Sequence, residues 1–319
     1  MNGDGSSDDE STPGLQDPTS ENRIRHRPVL VKEVLEFLDV RPDGNYIDAT
    51  LGTGGHAEEL LRRLQPGSGK LLALDRDPAA VAIAQERLRG FEEKLIVREG
   101  NFAEIEAIYA STGLPPADGL LADLGVSSLQ LDDAPRGFSF NLSGPLDMRM
   151  DPTSGMTAQE IVNRASEPDL ADLIFKLGEE RHSRRIARAI VKARPIRITT
   201  ELAQVVTRAI PSRAGLHQIH PATRTFLALR LAVNRELEHL QAFLAQALRV
   251  LAPGGRLVVL SFHSLEDRLV KRAFKAWQRE NQALLLNRKV VRPTDEETQQ
   301  NPRARSAKLR ALEKTGSSE

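Results

Sequence analysis

The stretch from Tyr46 to His56 constrains the fold of this chain more than any other. It begins as a short apolar run, continues into the glycine-rich turn Gly52–Gly55, and is followed by helical periodicity up to Leu64. A glycine-rich turn between a strand and a helix brings backbone N–H groups close to a nucleotide-like ligand. A second apolar run ends about twenty residues later in Asp75, where a carboxylate can accept ribose hydroxyls. These features predict a binding site for a nucleoside cofactor.

The spacing of the glycines leaves the identity of that cofactor open. Gly52, Gly54 and Ala57 match the G-x-G-x-x-G/A pattern of dinucleotide-binding enzymes. Asp75 also stands where a nicotinamide enzyme places its acidic residue. A parallel-sheet crossover that binds nothing can use glycines in the same way, because glycine tolerates tight turns. The rest of the chain must therefore decide between these alternatives.

The composition of the chain excludes several kinds of site. The 319 residues include no cysteine, so disulfides and thiolate metal sites are excluded and we expect a cytoplasmic protein. No apolar stretch approaches the roughly 20 residues that span a bilayer, so we expect no membrane partner. His217 and His220 stand three residues apart without a carboxylate cluster, and we therefore expect no metal site.

Apolar runs alternate with helical periodicity over most of the chain. After the opening strand, further strands are predicted at Leu71–Leu74, Lys94–Val97, Ala117–Ala122, Arg256–Leu260, Leu284–Val291 and Ala307–Leu312. Pro253–Gly255 predicts a turn before the fifth strand. The alternation predicts an α/β protein with a parallel sheet, helices on both faces, and ligands at the carboxyl ends of the strands.

The remaining segments divide the chain into four parts. Residues 1–22 hold six acidic side chains and no Lys or Arg, which predicts a disordered acidic tail. Residues 134–219 lack a convincing strand, and a capping pattern at Thr157 opens a series of predicted helices. We therefore predict a sheet domain in two parts, residues 23–133 and 220–319, around an inserted helical domain.

One predicted helix of the insertion, Glu179 to Arg194, carries a basic stripe. Its cations stand at spacings of four, three and four residues, and they are Arg181, Arg185, Arg188 and Lys192. Across residues 181–235 there are twelve Lys and Arg but one acid, Glu201. A charge stripe is usually a solvated face, yet so one-sided an imbalance favours nucleic-acid binding. We expect these four residues to contact RNA.

Acids and glycine turns follow one another in a characteristic order. The acids are Asp48 on the first strand, Asp75 after the second and Asp123 after the fourth. This order resembles that of class I S-adenosylmethionine-dependent methyltransferases. Longer blocks of sequence point to one family within this class. They include His26–Leu30, Thr50–His56, Asp123–Ser128, Gln130–Asp133, Arg136–Phe140, Pro145–Met150, Gly178–Arg181, His220–Phe226, Ser261–Arg268 and Asn301–Ser306. They resemble the RsmH (MraW) family, bacterial enzymes that methylate N4 of a cytosine in 16S small-subunit ribosomal RNA.

The resemblance implies a fold, a cofactor and a partner. The fold is a Rossmann-like α/β sheet with an inserted helical domain for substrate recognition, and the cofactor is S-adenosyl-L-methionine. The implied cofactor residues are Gly54, Gly55 and His56 at the methionine portion, Asp75 at the ribose, Phe102 at the adenine, and Asp123 with the loop residue Gln130 near the reacting methyl. The expected partner is small-subunit ribosomal RNA, in its decoding region, or an assembling 30S subunit. The oligomeric state, monomer or homodimer, stays open.

Asp123 is the predicted catalytic residue. An exocyclic cytosine amine is a poor nucleophile because its lone pair is delocalised into the ring, so an acceptor for the amino hydrogens favours attack and proton loss. Many amino-methyltransferases carry an Asp/Asn/Ser-Pro-Pro-aromatic motif at this point, whereas this chain has Asp123-Leu124-Gly125-Val126. We expect Asp123 to act as the acceptor and Ser127 or Ser128 to assist.

Two other classes of protein stay open at this stage. A nicotinamide oxidoreductase accounts for the glycine pattern, and a non-catalytic RNA-binding protein accounts for the basic stripe. Binding of S-adenosylmethionine separates the first alternative from a methyltransferase, and transfer of a labelled methyl group separates the second.

Overall fold

A computed structural model describes residues 28–153, 155–210 and 219–316 of the chain. The predicted tail at residues 1–22 and His217 lie outside these described residues. None of the helices within them is long and apolar enough to cross a membrane.

A seven-stranded sheet forms the centre of the molecule. Its strands are β1 (Tyr46–Asp48), β2 (Leu71–Asp75), β3 (Leu95–Glu99), β4 (Ala117–Asp123), β5 (Leu251–Ser261), β6 (Ala283–Leu285) and β7 (Lys308–Lys314). They lie in the order β3-β2-β1-β4-β5-β7-β6, in which the first five are parallel and β7 runs antiparallel to both neighbours. The predicted α/β fold is confirmed.

Helices cover the sheet and form a second unit beside it. In the described residues they are α1 (Val31–Leu38), α2 (Gly55–Leu64), α3 (Pro78–Arg87), α4 (Ile105–Ala110), α5 (Ser128–Asp132), α6 (Ala158–Arg164), α7 (Glu167–Gly178), α8 (Ser183–Ala193), α9 (Thr199–Ala209), α10 (Thr223–Asn234), α11 (Glu236–Val250), α12 (Ser264–Arg279) and α13 (Asp295–Gln300). Short 3₁₀ turns occupy Phe102–Glu104, Ala134–Arg136 and Pro302–Ser306.

Both faces of the central strands β1, β2 and β4 are buried, which explains why these strands are mostly apolar. Tyr46 and Leu71 point into a core with α1, α2 and α3, while Ile47 and Leu72 point into a core with α4, α11 and α12. Successive strand residues face opposite sides, so a sheet with helices on both sides requires apolar side chains at consecutive positions.

The strands near the far edge depart from the predicted bounds. The predicted Pro253–Gly255 turn lies inside β5, where the pairing with β4 jumps from Ala117–Leu251 to Gly119–Arg256. Gly254 takes a φ of 78°, so the additional residues bulge without leaving the strand. β6 ends at Leu285, because the Asn287 side chain takes the place of a neighbouring strand and bonds to Ala311 N and Leu309 O at 2.8 and 3.0 Å.

The helical unit has a core of its own, built by α6 to α10. The predicted capping box is present at Thr157, which exchanges hydrogen bonds with Glu160 at the start of α6. α10 begins after the predicted boundary at residue 219, yet Phe226 and Leu229 pack into this same core. The packed unit therefore extends further along the chain than the predicted insertion, whose limits stay a prediction.

The predicted helix from Glu179 to Arg194 begins four residues late. Glu179 ends α7 in the left-handed conformation, with φ 50°, and this reverses the chain before α8 begins at Ser183. Glu180 then holds the turn, because its Oε1 accepts from His182 N at 2.7 Å. Arg181 consequently precedes the helix that carries the other three cations of the predicted stripe.

Candidate active site

A cavity of about 500 Å³ opens at the carboxyl ends of β1, β2 and β4. The order of the strands reverses between β1 and β4, and such a switch point is where ligands bind in open α/β sheets. The strand ends and the turns after them form one wall. The helical unit and the segment around Arg303 form the other.

Most of the predicted site residues meet in this cavity. Those that line it are Gly55, His56, Asp75, Phe102, Asp123, Ser127, Ser128 and Gln130. Gly54 is not part of the lining: it precedes α2 with φ 83°, and a Cβ there would lie 3.3 Å from Ala84 on α3 and from Leu88, which follows that helix. Its place is therefore to shape the turn and to let α2 approach α3 closely.

Asp75 is held rigidly at the end of β2. Its Oδ2 accepts from Gly52 N at 2.8 Å and its Oδ1 accepts from Asp77 N at 2.9 Å. Burial raises the pKa of this carboxyl above its usual value, although the two backbone bonds act in the opposite direction. Each carboxylate oxygen retains a lone pair, so the group can still accept hydroxyls from a ligand.

A buried acidic cluster lies beside the glycine turn. In the described structure, three buried side-chain atoms at this place have no hydrogen-bond partner: Asp48 Oδ2, Asp123 Oδ1 and Nε2 of the neighbouring His56. Burial raises the pKa of Asp48 to about 6, His56 opposes the rise, and the neighbouring Asp123 and Asp75 add to it. Buried polar atoms are normally paired. This end of the cavity therefore suits a ligand that brings positive charge and hydrogen-bond donors.

Asp123 combines exposure to the cavity with a fixed backbone. Its N–H donates to Thr50 Oγ1 at 2.6 Å, which ties the end of β4 to the end of β1. Its Oδ2 lies 3.5 Å from His56 Nε2, and about a quarter of the side chain is exposed. The carboxylate can therefore accept a proton or a hydrogen bond from a group in the cavity.

The two predicted serines differ in how free they are. Ser127 caps α5, because its Oγ accepts from Gln130 N at 3.3 Å. Ser128 is the first residue of that helix and is half-buried at the cavity wall. The Ser127 hydroxyl is thus committed as an acceptor, although it can still donate its proton.

Gln130 lies in α5 rather than in the predicted loop, and its amide is bound on both sides. Its Oε1 accepts from Ser127 N at 3.1 Å, and its Nε2 donates to Asp77 Oδ2 at 2.7 Å. Arg136 contacts the same Asp77 oxygen at 2.9 Å. This buried link ties the cavity-lining segment after β4 to the N-terminus of α3, so Gln130 positions the wall and keeps one amide hydrogen for a ligand.

A histidine that the sequence did not single out borders the cavity near Phe102. His239 Nδ1 lies 3.1 Å from Asn101 Nδ2 and 3.4 Å from Arg76, and both neighbours can only donate there. The Asn101 amide is oriented, because its Oδ1 accepts from Ala103 N at 3.0 Å. Burial, followed by Arg76, lowers the pKa of His239. Two donors that face Nδ1 favour the neutral tautomer, which carries its proton on Nε2.

The opposite wall is aromatic and was also missed. Phe138, Phe140 and Phe226 line it, and Phe140 stacks on His220 with ring centres 4.6 Å apart. Phe140 also meets Phe226 edge to face at 5.4 Å. The wall is assembled from segments more than 80 residues apart, so no local pattern could reveal it. Flat aromatic side chains of this kind are suited to stacking on a planar ring.

A family model matches residues 23–315, and it is described as the MraW methylase family. The chain belongs to that family. The "Ribosomal RNA small subunit methyltransferase H" of Acidobacterium capsulatum is 52% identical over 299 residues, which are 92% of this chain and 99% of that protein. The protein of the same name from Syntrophobacter fumaroxidans is 50% identical over 311 residues, with 92% of this chain and 97% of that one covered.

A solved structure described as a putative rRNA-methylase from Clostridium thermocellum aligns with a TM-score of 0.46 and 11% identity, over 91% of this chain and 98% of that one. Membership of the MraW methylase family makes the chain a methyltransferase. The two alternatives, a nicotinamide oxidoreductase and a non-catalytic RNA-binding protein, are therefore wrong. The glycine spacing that a nicotinamide oxidoreductase shares with a methyltransferase reflects the common βαβ unit.

The predicted basic stripe of this MraW methylase lies outside the cavity. All four cations are exposed, and Arg188 lies 3.4 Å from Glu167. Among the described residues, Arg185 and Lys192 form no ion pair, and Arg181 belongs to the turn before α8. Glu179 and Glu180, which precede the stripe, face Arg268 and Arg224 instead.

Proposed function

We propose that the protein transfers a methyl group from S-adenosyl-L-methionine to N4 of a cytosine in 16S small-subunit ribosomal RNA, in its decoding region. The observation that carries the proposal is the unpaired Asp123 carboxylate oxygen between an acidic pocket and an aromatic wall. The names of relatives about 50% identical to the chain support the ribosomal substrate.

The acidic end fits the cofactor. A sulfonium and an α-ammonium are both cationic, and Asp48 and Asp123 each present an unpartnered oxygen there. Asp75 would accept the two ribose hydroxyls, since its carboxylate is fixed by backbone bonds on the inner side. Phe102 would pack against the adenine, with the Nε2–H of His239 as a donor beside it. When it is bound, S-adenosylmethionine would supply an electrophilic methyl group, whose bond to sulfur breaks as the C–N bond forms and leaves S-adenosylhomocysteine.

The aromatic wall fits the other reactant. A base that undergoes chemistry must leave its stack, and it is then held between flat side chains. Phe138, Phe140 and Phe226 would hold the cytosine ring, so that its amino group faces Asp123. Fixing both reactants in one cavity removes much of the entropic barrier to an in-line displacement.

Asp123 would act on the amine. Its carboxylate would accept a hydrogen bond from the exocyclic N–H, which returns lone-pair density to the nitrogen, and it would take the proton once the C–N bond forms. His56, 3.5 Å from the other carboxylate oxygen, would hold the group in place. Ser128 or the Ser127 hydroxyl proton would assist at the edge of the base.

The experiment is transfer of an isotopically labelled methyl group to purified small-subunit RNA and to 30S subunits, followed by digestion to nucleosides and mass spectrometry. The proposal expects one labelled nucleoside, N4-methylcytidine, at one position of the decoding region. Label on another base, on another atom of cytosine, or on no RNA at all would contradict it.

A further inference from the structure

A second cationic stripe lies on the sheet unit, along α12. Its exposed cations are Arg268, Lys271, Arg272, Lys275 and Arg279. Four of them stand at spacings of four, three and four, so they follow one face of the helix, with Lys271 beside them. The opposite face is buried through Val270 and Phe274, which fixes the orientation of the stripe toward solvent.

The acids of α12 do not neutralise this stripe. Glu266 is buried, and its Oε2 accepts from Phe262 N at 3.0 Å. Asp267 is turned toward β7, where it meets Arg310 at 2.7 Å and Lys308 at 3.6 Å. Both carboxylates are therefore bonded to groups of the fold and do not face the stripe.

In the part of the chain that the structure describes, the outer cations of α12 are not paired with acids. Within the described ranges, Lys271, Arg272, Lys275 and Arg279 have no carboxylate within ion-pair distance. By contrast, Arg41, Arg62, Arg89 and Arg249 are each paired with a nearby acid. Unpaired neighbouring cations repel one another, so a polyanion that neutralises them gains affinity.

The stripe starts at the mouth of the cavity, where the sheet unit meets the helical unit. Glu179, at the end of α7, accepts from Arg268 at 2.7 Å and from Ser264. Arg224 donates to the Glu179 carbonyl at 3.1 Å. The residues just before Ser264 and Arg224 in the chain, His263 and Thr223, line the cavity.

We propose that the α12 stripe binds the phosphates of the RNA strand on one side of the target nucleotide, while the α8 stripe binds those on the other side. The inference rests on the proposed function and adds to it a path for the substrate. From Arg268 to Arg279 the helix rises about 16 Å at roughly 1.5 Å per residue. That length covers several phosphates, so one strand can enter along one stripe and leave along the other.

The test compares two double variants of equal charge change. Arg272→Ala/Lys275→Ala removes two cations from the stripe, and Arg63→Ala/Arg98→Ala removes two exposed cations from α2 and β3. The affinity for a single-stranded RNA that carries the target cytosine is measured against salt. The first variant should flatten the slope of log affinity against log salt by about 1.4, at about 0.7 per phosphate contact, and the control should keep it.

Trimming the RNA assigns the side. When the nucleotides on one side of the cytosine are removed, the α12 variant should bind the trimmed RNA as tightly as the wild type binds it, because the contacts of α12 are already lost. With the same trimmed RNA, an α8 variant should bind more weakly than the wild type. When the nucleotides on the other side are removed instead, the α12 variant should bind more weakly than the wild type and the α8 variant should bind equally well. A full salt slope in the α12 variant, or equal losses with both trimmed RNAs, would overturn the inference.

Failure of this inference is distinguishable from failure of the proposed function. If the wild type forms N4-methylcytidine but the α12 variant keeps its full slope, the surface assignment alone is wrong. If the wild type forms N4-methylcytidine neither in purified small-subunit RNA nor in 30S subunits, both are wrong. Unchanged S-adenosylmethionine affinity in every variant shows that the sheet unit has folded correctly.

Discussion

The two walls of the cavity are built in opposite ways. On the sheet side the polar groups are fixed by short bonds to backbone: Asp75 accepts from two N–H groups, and the Asn101 amide is set by Ala103. On the helical side the wall consists of aromatic rings, and the cations beyond it are exposed. A preorganised wall suits one small ligand of constant shape, whereas exposed cations suit a long, variable polyanion.

The cavity and the outer surface also differ in the sign of their charge. Asp48, Asp75 and Asp123 make one end of the cavity acidic, while α8 and α12 make the outer surface basic. The whole chain has 44 basic and 44 acidic residues and a formal net charge of zero. Net charge therefore conceals a division in which each region complements the charge of its own proposed ligand.

The largest expected effect is on turnover, and it comes from Asp123, which lies between the acidic end of the cavity and its aromatic wall. Asp123→Asn keeps the size of the side chain but removes the proton acceptor, so turnover should fall by about 10² to 10⁴. Single-turnover methyl transfer at saturating RNA measures it. RNA affinity and its salt slope should not change. If only the Michaelis constant for RNA rises, Asp123 holds the substrate and the base must lie elsewhere.

A smaller effect is expected from the preorganised wall. Asp75→Ala removes the proposed acceptor for the ribose hydroxyls, which should cost about 1.5–3 kcal/mol, or roughly ten- to a hundredfold in cofactor affinity. Calorimetric titration with S-adenosylmethionine checks this. Thermal unfolding without ligand controls for loss of the Gly52 turn. An unchanged dissociation constant would remove Asp75 from the site.

The charge of the acidic end predicts a pH dependence. Asp48 has a raised pKa of about 6, and a bound cation nearby favours the ionised form, so binding should lower that pKa and release a proton. Affinity for S-adenosylmethionine should then rise with pH through about 6 and level off above it. The gain is about tenfold for each unit by which the pKa falls.

S-adenosylhomocysteine provides the matched comparison, because it lacks the sulfonium charge. Its affinity should change less between pH 5 and pH 7.5, and Asp48→Asn should remove the difference between the two ligands. Parallel pH profiles for both ligands in the wild type would show that Asp48 does not sense the sulfonium.

The smallest effect belongs to the exposed surface. Arg185→Ala/Lys192→Ala removes the two cations of the predicted stripe on α8 that have no ion pair in the described structure, and it should flatten the RNA salt slope by about 1.4. Over a fourfold change in salt this is about sevenfold in affinity. Arg188→Ala, whose side chain faces Glu167, should change the slope less than either of the other single substitutions. A full slope in the double variant would make the stripe a solvated face.

Sequence periodicity located the half of the site that depends on strand ends. Asp75 and Asp123 were predictable because parallel strands place their carboxyl ends on one edge, and the glycine turn follows the first of them. Most strands also followed from local patterns. The departures are the β5 bulge, the early end of β6, the late start of α8 and the helix α5 in place of a predicted loop at Gln130. The first two of these departures depend on pairing between distant segments, which local patterns do not contain.

The other half depends on contacts between distant residues. Gln130 reaches Asp77 across 53 positions, and Phe140 meets His220 only because the helical unit folds back on the cavity. Gly54 matched a binding motif, yet its tight contact is with α3. Arg181 matched a helical stripe, but the left-handed Glu179 interrupts the helix before it. In each case tertiary packing decided what a local motif left open.

The most direct test of two separate binding regions measures each ligand with the variant that alters the region proposed for the other ligand. S-adenosylmethionine affinity is measured for Arg185→Ala/Lys192→Ala, and the RNA salt slope is measured for Asp75→Ala. The account predicts wild-type values in both measurements, because the cofactor contacts the cavity around Asp75 and the RNA phosphates contact the outer surface of α8. A loss of cofactor affinity in the α8 variant together with a flattened slope in Asp75→Ala would contradict it, since both ligands would then depend on the same residues.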